Sequence, residues 1–190
     1  MNHGLHGDIP ASIYHSDPCD TPSLSSGIAK ILLERPPLWA WAAHPKLNPD
    51  HQPSAPKAAF DLGHAAHAAL LEDCKGITVC EFDNWLTKDA KSARDAARAA
   101  GNTPVLADDF AEVREMARIA TVALKAINVA VSDTMYECTM IGEVDGVLCR
   151  TRPDIYQPGL IIDYKTTSRP LDGFPMQAAK YGYDLQAAMY

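Results

Sequence analysis

The sequence lacks the features of a membrane protein and of an exported one. Its 190 residues contain no apolar run that approaches the roughly 18–20 residues of a membrane-spanning helix. The N-terminal stretch MNHGLHGD does not have the basic-then-apolar order of a signal peptide. The 5 cysteines are odd in number and scattered, which argues for reduced thiols and against a disulfide framework. We therefore expect a cytoplasmic protein with no membrane partner.

An excess of positive charge is also missing. The chain has 24 acidic residues (Asp and Glu) against 17 basic ones (Lys and Arg), which gives a net charge of −7. This balance disfavours a protein that coats nucleic acid through bulk electrostatics. It does not exclude a nuclease, because metal-binding carboxylates add negative charge and a local basic groove can hold the DNA backbone. The candidates for such a groove are Arg150, Arg152, Lys165, Arg169 and Lys180.

The order of helical and strand patterns predicts an α+β fold. The length suits a single domain with its own core. Apolar residues recur at helical spacing until about residue 130, and a spacing of two follows. We therefore predict one domain over residues 1–190, in three parts. These are an N-terminal helical and loop region (1–57), a helical part (58–130), and a catalytic sheet with a C-terminal helix (131–190). The sheet is expected to be small, mainly antiparallel or mixed, and flanked by helices.

Two turn signals divide the predicted sheet into strands. Asp145-Gly146 is a hairpin signal between predicted strands at residues 135–141 and 147–156. Pro158-Gly159 is a second turn signal, and a third strand is predicted over residues 160–165. One helix is predicted over residues 174–190.

Two aspartates flank the second turn. If this turn is centred between Pro158 and Gly159, Asp154 lies opposite Asp163, with the Cβ atoms about 4.5–5.5 Å apart. Like charges at that distance repel, and a hard divalent ion such as Mg²⁺ or Mn²⁺ would compensate them. Strand alternation would put Lys165 on the same face. Metal and ammonium together would suit the extra negative charge of a phosphodiester under attack.

Other side chains are candidates for the same site. His64 and His67 lie three residues apart on an Ala-rich predicted helix and share a face, so an imidazole could complete the metal coordination. We favour His67, because the apolar Leu70-Leu71 that follow it would fix the helix. Glu137 is left open between a metal ligand and a solvent-facing strand residue.

The C-terminal helix carries a further candidate pair. Gln186 and Tyr190 lie four residues apart and therefore on one helix face. Their spacing alone does not decide between an ordinary amphipathic helix and a pair of polar groups directed at DNA.

Four segments occur in a fixed order along the chain. They are GHAAHAALLE at residues 63–72, RPD at 152–154, DYKTT at 163–167 and QAAMY at 186–190. In this order they resemble the PD-(D/E)xK nucleases of the RecB type, and most nearly the exonuclease VIII (RecE) branch of phages and prophages. The resemblance implies the PD-(D/E)xK core and a Mg²⁺-dependent exodeoxyribonuclease that digests linear double-stranded DNA from 5′ to 3′ during recombination. It further implies a bacterial host cell, a RecT-like single-strand annealing protein as a partner, and a ring-shaped homo-oligomer.

The resemblance also implies roles for particular residues. The metal ligands would be His67, Asp154, Asp163 and the main-chain carbonyl of Tyr164. The catalytic residues would be Asp154, Asp163 and Lys165, of which the lysine would orient or activate the attacking water. The predicted DNA contacts are Gln186, Tyr190, Arg152 and Thr166.

Two alternatives to an exonuclease stay open. Relatives usually continue beyond the position that matches Tyr190, so the resemblance predicts a truncated chain that could be a catalytically silent DNA-binding remnant. The other alternative is an endonuclease on the same fold. Closed circular DNA distinguishes an exonuclease from an endonuclease, since an exonuclease leaves it intact.

Overall fold

The computed structural model describes residues 1–7, 9–52, 58–129, 135–167 and 170–190. The chain divides into two compact units. The first unit comprises Met1–Pro53, Asp133–Asp163 and Thr167–Tyr190, and the second comprises Ser54–Ser132 and Tyr164–Thr166. The single nuclease domain over residues 1–190 stays a prediction.

The described elements are mostly helices up to residue 126, then five short strands, and finally two helices. In chain order they are β1 (Gly4–His6), α1 (Ala11–His15), α2 (Ser26–Glu34), α3 (Pro37–Ala43), α4 (Ala58–Leu71), β2 (Ile77–Cys80), α5 (Lys88–Ala99), β3 (Thr103–Leu106), α6 (Ala107–Ala126), β4 (Met135–Tyr136), β5 (Thr139–Val144), β6 (Val147–Thr151), β7 (Ile155–Gln157), β8 (Leu160–Ile162), α7 (Phe174–Tyr181) and α8 (Tyr183–Met189). Among the residues described, none of these helices is both long and apolar enough to span a bilayer.

Local capping explains where two of the helices begin. The Ser25 hydroxyl accepts a hydrogen bond from the backbone N–H of Ile28 at the start of α2, and the Thr87 hydroxyl accepts one from Ala90 at the start of α5. Such caps satisfy N–H groups that have no partner within the helix. Serine and threonine are among the residue types that commonly cap helices in this way.

The second unit contains a parallel strand pair packed against helices. β2 runs parallel to β3, from the pair Ile77↔Thr103 to the pair Cys80↔Leu106. Ala65 of α4, Val105 of β3 and Val113 of α6 form its buried core. The small side chain of Ala65 allows α4 to approach these strands closely.

The first unit contains two antiparallel sheets, with strand orders β1-β5-β6 and β4-β7-β8. The turn between β5 and β6 is formed by Asp145 and Gly146, whose φ values of 50° and 81° are both positive, as the two-residue hairpin requires. In β7 and β8, Ile155 pairs with Ile162 and Gln157 pairs with Leu160. Both predicted hairpins are confirmed, and so is the predicted α+β fold with antiparallel sheets flanked by helices.

Several predicted element bounds are wrong. The two longer strands are each interrupted, at residues 137–138 and 152–154, so that four short strands replace them. Pro153 lies in the second gap, and its missing N–H stops the ladder there. The third strand ends at Ile162 and not at Lys165, because β8 pairs with β7 and β7 begins at Ile155. The C-terminal helix is two helices, since Gly182 adopts a left-handed conformation with φ 70° and ends α7.

A buried ionic network ties the N-terminal region to β6. The Asp17 carboxylate accepts hydrogen bonds from the backbone N–H and the hydroxyl of Ser23, both at 2.8 Å, and lies 3.2 Å from Nη1 of Arg150. Arg150 also donates to the carbonyl and hydroxyl oxygens of Ser23, both at 2.7 Å. Because Arg150 is only 3% exposed, its prediction as part of a basic DNA groove is wrong.

Candidate active site

The two predicted aspartates lie at the open end of the β7–β8 hairpin. Asp154 directly precedes Ile155, Asp163 directly follows Ile162, and these two isoleucines are paired. The register that predicts the opposition of Asp154 and Asp163 is therefore confirmed, and the aspartates occupy the next position beyond the ladder. Asp154 is buried, at 7% exposure. A carboxylate that is both buried and opposed to another requires compensation by a cation or by hydrogen bonds.

Gln186 of α8 and Tyr190, which directly follows this helix, contact Asp163. The Tyr190 hydroxyl donates to Oδ1 of Asp163 at 3.0 Å, and the Gln186 amide donates to the Tyr190 hydroxyl. The Gln186 amide nitrogen is also 3.5 Å from the same Asp163 oxygen. Burial, reinforced by the nearby charge of Asp163, raises the pKa of Tyr190 far above its usual range. The phenol consequently keeps its proton and acts as a donor.

A third carboxylate, that of Glu137, lies beside Asp154. The backbone N–H of Glu137 donates to the carbonyl of Asp154 at 3.0 Å, and the two side chains have carboxylate oxygens within 4.8 Å of each other. The Glu137 carboxylate accepts a hydrogen bond from Nε of Arg152 at 2.7 Å. Glu137 and Asp154 thus lie together at the ends of β4 and β7, and Asp163 follows the end of β8, which pairs with β7. Oxygen ligands of this kind fit Mg²⁺ or Mn²⁺.

Glu137 has a signal in the sequence that could have placed it beside Asp154. In the β5–β6 hairpin Val144 pairs with Val147, and across β4 and β7 Tyr136 pairs with Ile155. The residue numbers of both pairs have the same sum, so the two pairs of strands share one register. Extending the register of the Asp145-Gly146 hairpin across the gaps between the strands therefore places Glu137 opposite Asp154.

In the second unit, α4 contacts the segment that follows Asp163. The rings of His67 and Tyr164 lie 5.2 Å apart between centroids, and a Cβ at Gly63 would be 3.8 Å from Oγ1 of Thr166. His67 is half-buried, whereas His64 is exposed. The choice of His67 over His64 stays a prediction, and so does the role of His67 as a metal ligand.

The predicted catalytic lysine and the basic residues predicted to contact DNA differ in exposure and in contacts. Lys165 is half-buried and lies beyond the end of β8, so strand alternation does not set its direction. Arg152 is engaged with Glu137 and also donates to the carbonyl of Ile9 at 2.6 Å. Lys180 is exposed, and Arg169 lies outside the described residues. The predicted DNA contacts of Arg152 and Thr166 stay predictions.

The fold and this arrangement together indicate the PD-(D/E)xK class: an antiparallel hairpin ends in two aspartates, and a lysine follows the second one. The chain belongs to the family described as a PDDEXK-like domain of unknown function (DUF3799), whose match covers residues 40–190. PDDEXK-like domains point to nucleases, and such nucleases generally use divalent metal ions. No curated protein and no solved structure matches the chain.

Proposed function

We propose that the protein is a metal-dependent exodeoxyribonuclease that hydrolyses the phosphodiester bonds of linear double-stranded DNA. The proposal is carried by the opposed aspartates Asp154 and Asp163 at the end of one hairpin, in a chain of the PDDEXK-like family. Two carboxylates in this position suit a divalent ion and a phosphate better than an organic cofactor.

The proposed ligands are the carboxylates of Asp154 and Asp163, with Glu137 as an additional oxygen donor beside Asp154. The resemblance to RecB-type nucleases adds the Tyr164 carbonyl and the His67 imidazole. A bound Mg²⁺ or Mn²⁺ would activate a water molecule and offset charge on the phosphate. Lys165, the second residue after Asp163, would hold the attacking water or a phosphate oxygen through its ammonium group.

The finer part of the proposal rests on the four ordered segments that resemble the exonuclease VIII (RecE) branch. We propose digestion from 5′ to 3′, which would leave 3′ single strands for a RecT-like annealing protein. A ring-shaped homo-oligomer around DNA belongs to the same proposal.

Calorimetric titration with Mn²⁺ tests the metal site directly. Asp154→Asn and Asp163→Asn keep the side-chain shape but remove one charged ligand each, so we expect about 10- to 100-fold weaker binding in both. His67→Ala tests the imidazole separately and is expected to weaken binding as well. Asp50→Asn, at an exposed position, is the matched control and should bind Mn²⁺ like the parent.

The outcomes separate the parts of the proposal. Unchanged Mn²⁺ binding in both aspartate variants would refute the site. Weakened binding in the aspartate variants with unchanged binding in His67→Ala would remove only the histidine from the ligand set.

A further inference from the structure

We infer that Tyr190, supported by Gln186, is a positioning residue that holds Asp163, and that this pair is not primarily a DNA contact. The inference rests on the proposed role of Asp163 as a metal ligand. It replaces the expectation from the sequence, in which Gln186 and Tyr190 are directed at the DNA.

The hydrogen bonds of the two side chains carry the inference. The Tyr190 hydroxyl accepts a hydrogen bond from the Gln186 amide and lies 3.0 Å from Oδ1 of Asp163. A phenol has one proton, and the Asp163 carboxylate is an acceptor in this contact. The direction of the chain is therefore fixed, from amide to phenol to carboxylate. Both side chains converge on one carboxylate oxygen.

The start of α8 contacts α2 within the first unit. The Lys30 ammonium donates to the carbonyl of Lys180 at 2.9 Å, near the end of α7. The stem of Lys30 lies close to Gly182, where an added Cβ would be 3.3 Å from Cδ of the lysine. These contacts connect α2 to the turn that begins α8, the helix that contains Gln186 and is followed by Tyr190.

A hydrogen bond that holds the Asp163 carboxylate would favour metal binding. A carboxylate that binds a metal ion loses rotational freedom, and a hydrogen bond that already holds one of its oxygens reduces that cost. A tyrosine is suited to this role, because its rigid ring holds the hydroxyl 3.0 Å from Oδ1 of Asp163. Arg152 belongs to the same framework: its carbonyl lies 3.4 Å from the Tyr190 hydroxyl, and its side chain holds Glu137.

The experiment uses Mn²⁺ alone as the probe, in calorimetric titrations of the parent and its variants. We expect Tyr190→Phe to weaken Mn²⁺ binding about tenfold, because it deletes only the hydroxyl that holds Asp163. Gln186→Met should cause a smaller loss, since it acts through Tyr190. Tyr181→Phe removes the same group from an exposed ring of α7 and should leave Mn²⁺ binding unchanged. The double variant Asp163→Asn/Tyr190→Phe should bind no more weakly than Asp163→Asn alone, because the two residues act as one unit.

Nuclease kinetics on linear duplex DNA supply a second measurement. At saturating Mn²⁺, the KM of Tyr190→Phe for DNA should equal that of the parent. A raised KM with unchanged Mn²⁺ affinity would identify Tyr190 as a DNA contact and overturn the inference.

The proposed function and this inference fail in different ways. Absence of Mn²⁺ binding by the parent, or unchanged binding in Asp163→Asn, would refute the metal site itself. Weaker binding in Asp163→Asn with parent-like binding in Tyr190→Phe would refute only the positioning role.

Discussion

At the scale of single residues, the pair formed by Asp17 and Arg150 is expected to matter for stability. Both side chains are buried, and Asp17 lies at a φ of 64°, a conformation that asparagine tolerates. Asp17→Asn therefore removes the charge without straining the backbone and leaves the Arg150 guanidinium buried without its counter-ion. We expect the free energy of unfolding in urea at neutral pH to fall by about 3 kcal/mol.

The effect of Asp17→Asn on the free energy of unfolding should depend on pH. Burial alone would raise the pKa of Asp17, but the hydrogen bonds from Ser23 and the charge of Arg150 outweigh it and lower the pKa below 3.8. Because the pKa of Asp17 is lower in the folded protein than in the unfolded chain, its carboxylate stabilises the fold at pH values above the unfolded-chain pKa. This stabilisation is lost as the pH falls towards and through the folded-state pKa. The difference between the parent and Asp17→Asn should thus narrow below pH 3.8 in urea unfolding. A difference that stays constant down to about pH 2.5 would contradict this account.

Lys165 is expected to act in the chemical step. We expect Lys165→Ala to keep the Mn²⁺ and DNA affinities of the parent and to lose about 100-fold or more in cleavage rate, because its ammonium group would act on the attacking water or the phosphate. Lys91→Ala removes an equal charge from an exposed position of α5 and should cut at the parent rate. Parent-like cleavage by Lys165→Ala would show that the assigned role is wrong.

At the scale of elements, the junction of α7 and α8 depends on Gly182. Its φ of 70° lies in the left-handed region, and an added Cβ would meet the Lys30 stem at 3.3 Å. Gly182→Ala should therefore lower the free energy of unfolding by about 1–2 kcal/mol. Gly27→Ala, in α2 of the same unit, has no atom within 4 Å of the added Cβ and should stabilise slightly. Equal effects of the two substitutions in thermal unfolding would contradict the argument.

The elements also show what a sequence can predict. The residue types at the turns predict the Asp145-Gly146 and Pro158-Gly159 hairpins. In an antiparallel hairpin the numbers of two facing residues always add up to the same value, so the position of the second turn predicts that Asp154 faces Asp163. Such predictions succeed because a short turn fixes its neighbours through local geometry alone.

The elements that we did not predict depend on distant partners. β2 and β3 have only four residues each, and β3 contains Pro104, which disfavours a strand. Their pairing is parallel, and it is formed across the intervening α5. The tyrosine bond to Asp163 likewise joins residues far apart in sequence, and periodicity contains no signal for it.

At the scale of the whole molecule, the net charge of −7 constrains how the chain can meet DNA. A net negative charge disfavours long-range attraction to a polyanion, so we expect DNA binding to rely on local cations and on the metal ion. An exonuclease acts at a DNA end, whereas a protein that coats nucleic acid through bulk electrostatics needs an extended basic surface.

The requirement of an exonuclease for a DNA end gives the last prediction. With Mg²⁺, the protein should degrade a linearised plasmid and leave the same plasmid intact when it is covalently closed, because only the linear form offers an end. Asp163→Asn should spare both forms, since it lacks a proposed metal ligand, and it is the control for contaminating nucleases. Gel electrophoresis over a time course measures both substrates side by side. Nicking or linearisation of the closed circle would instead indicate an endonuclease. Survival of both forms, with Mn²⁺ binding present, would indicate a catalytically silent protein on the same fold.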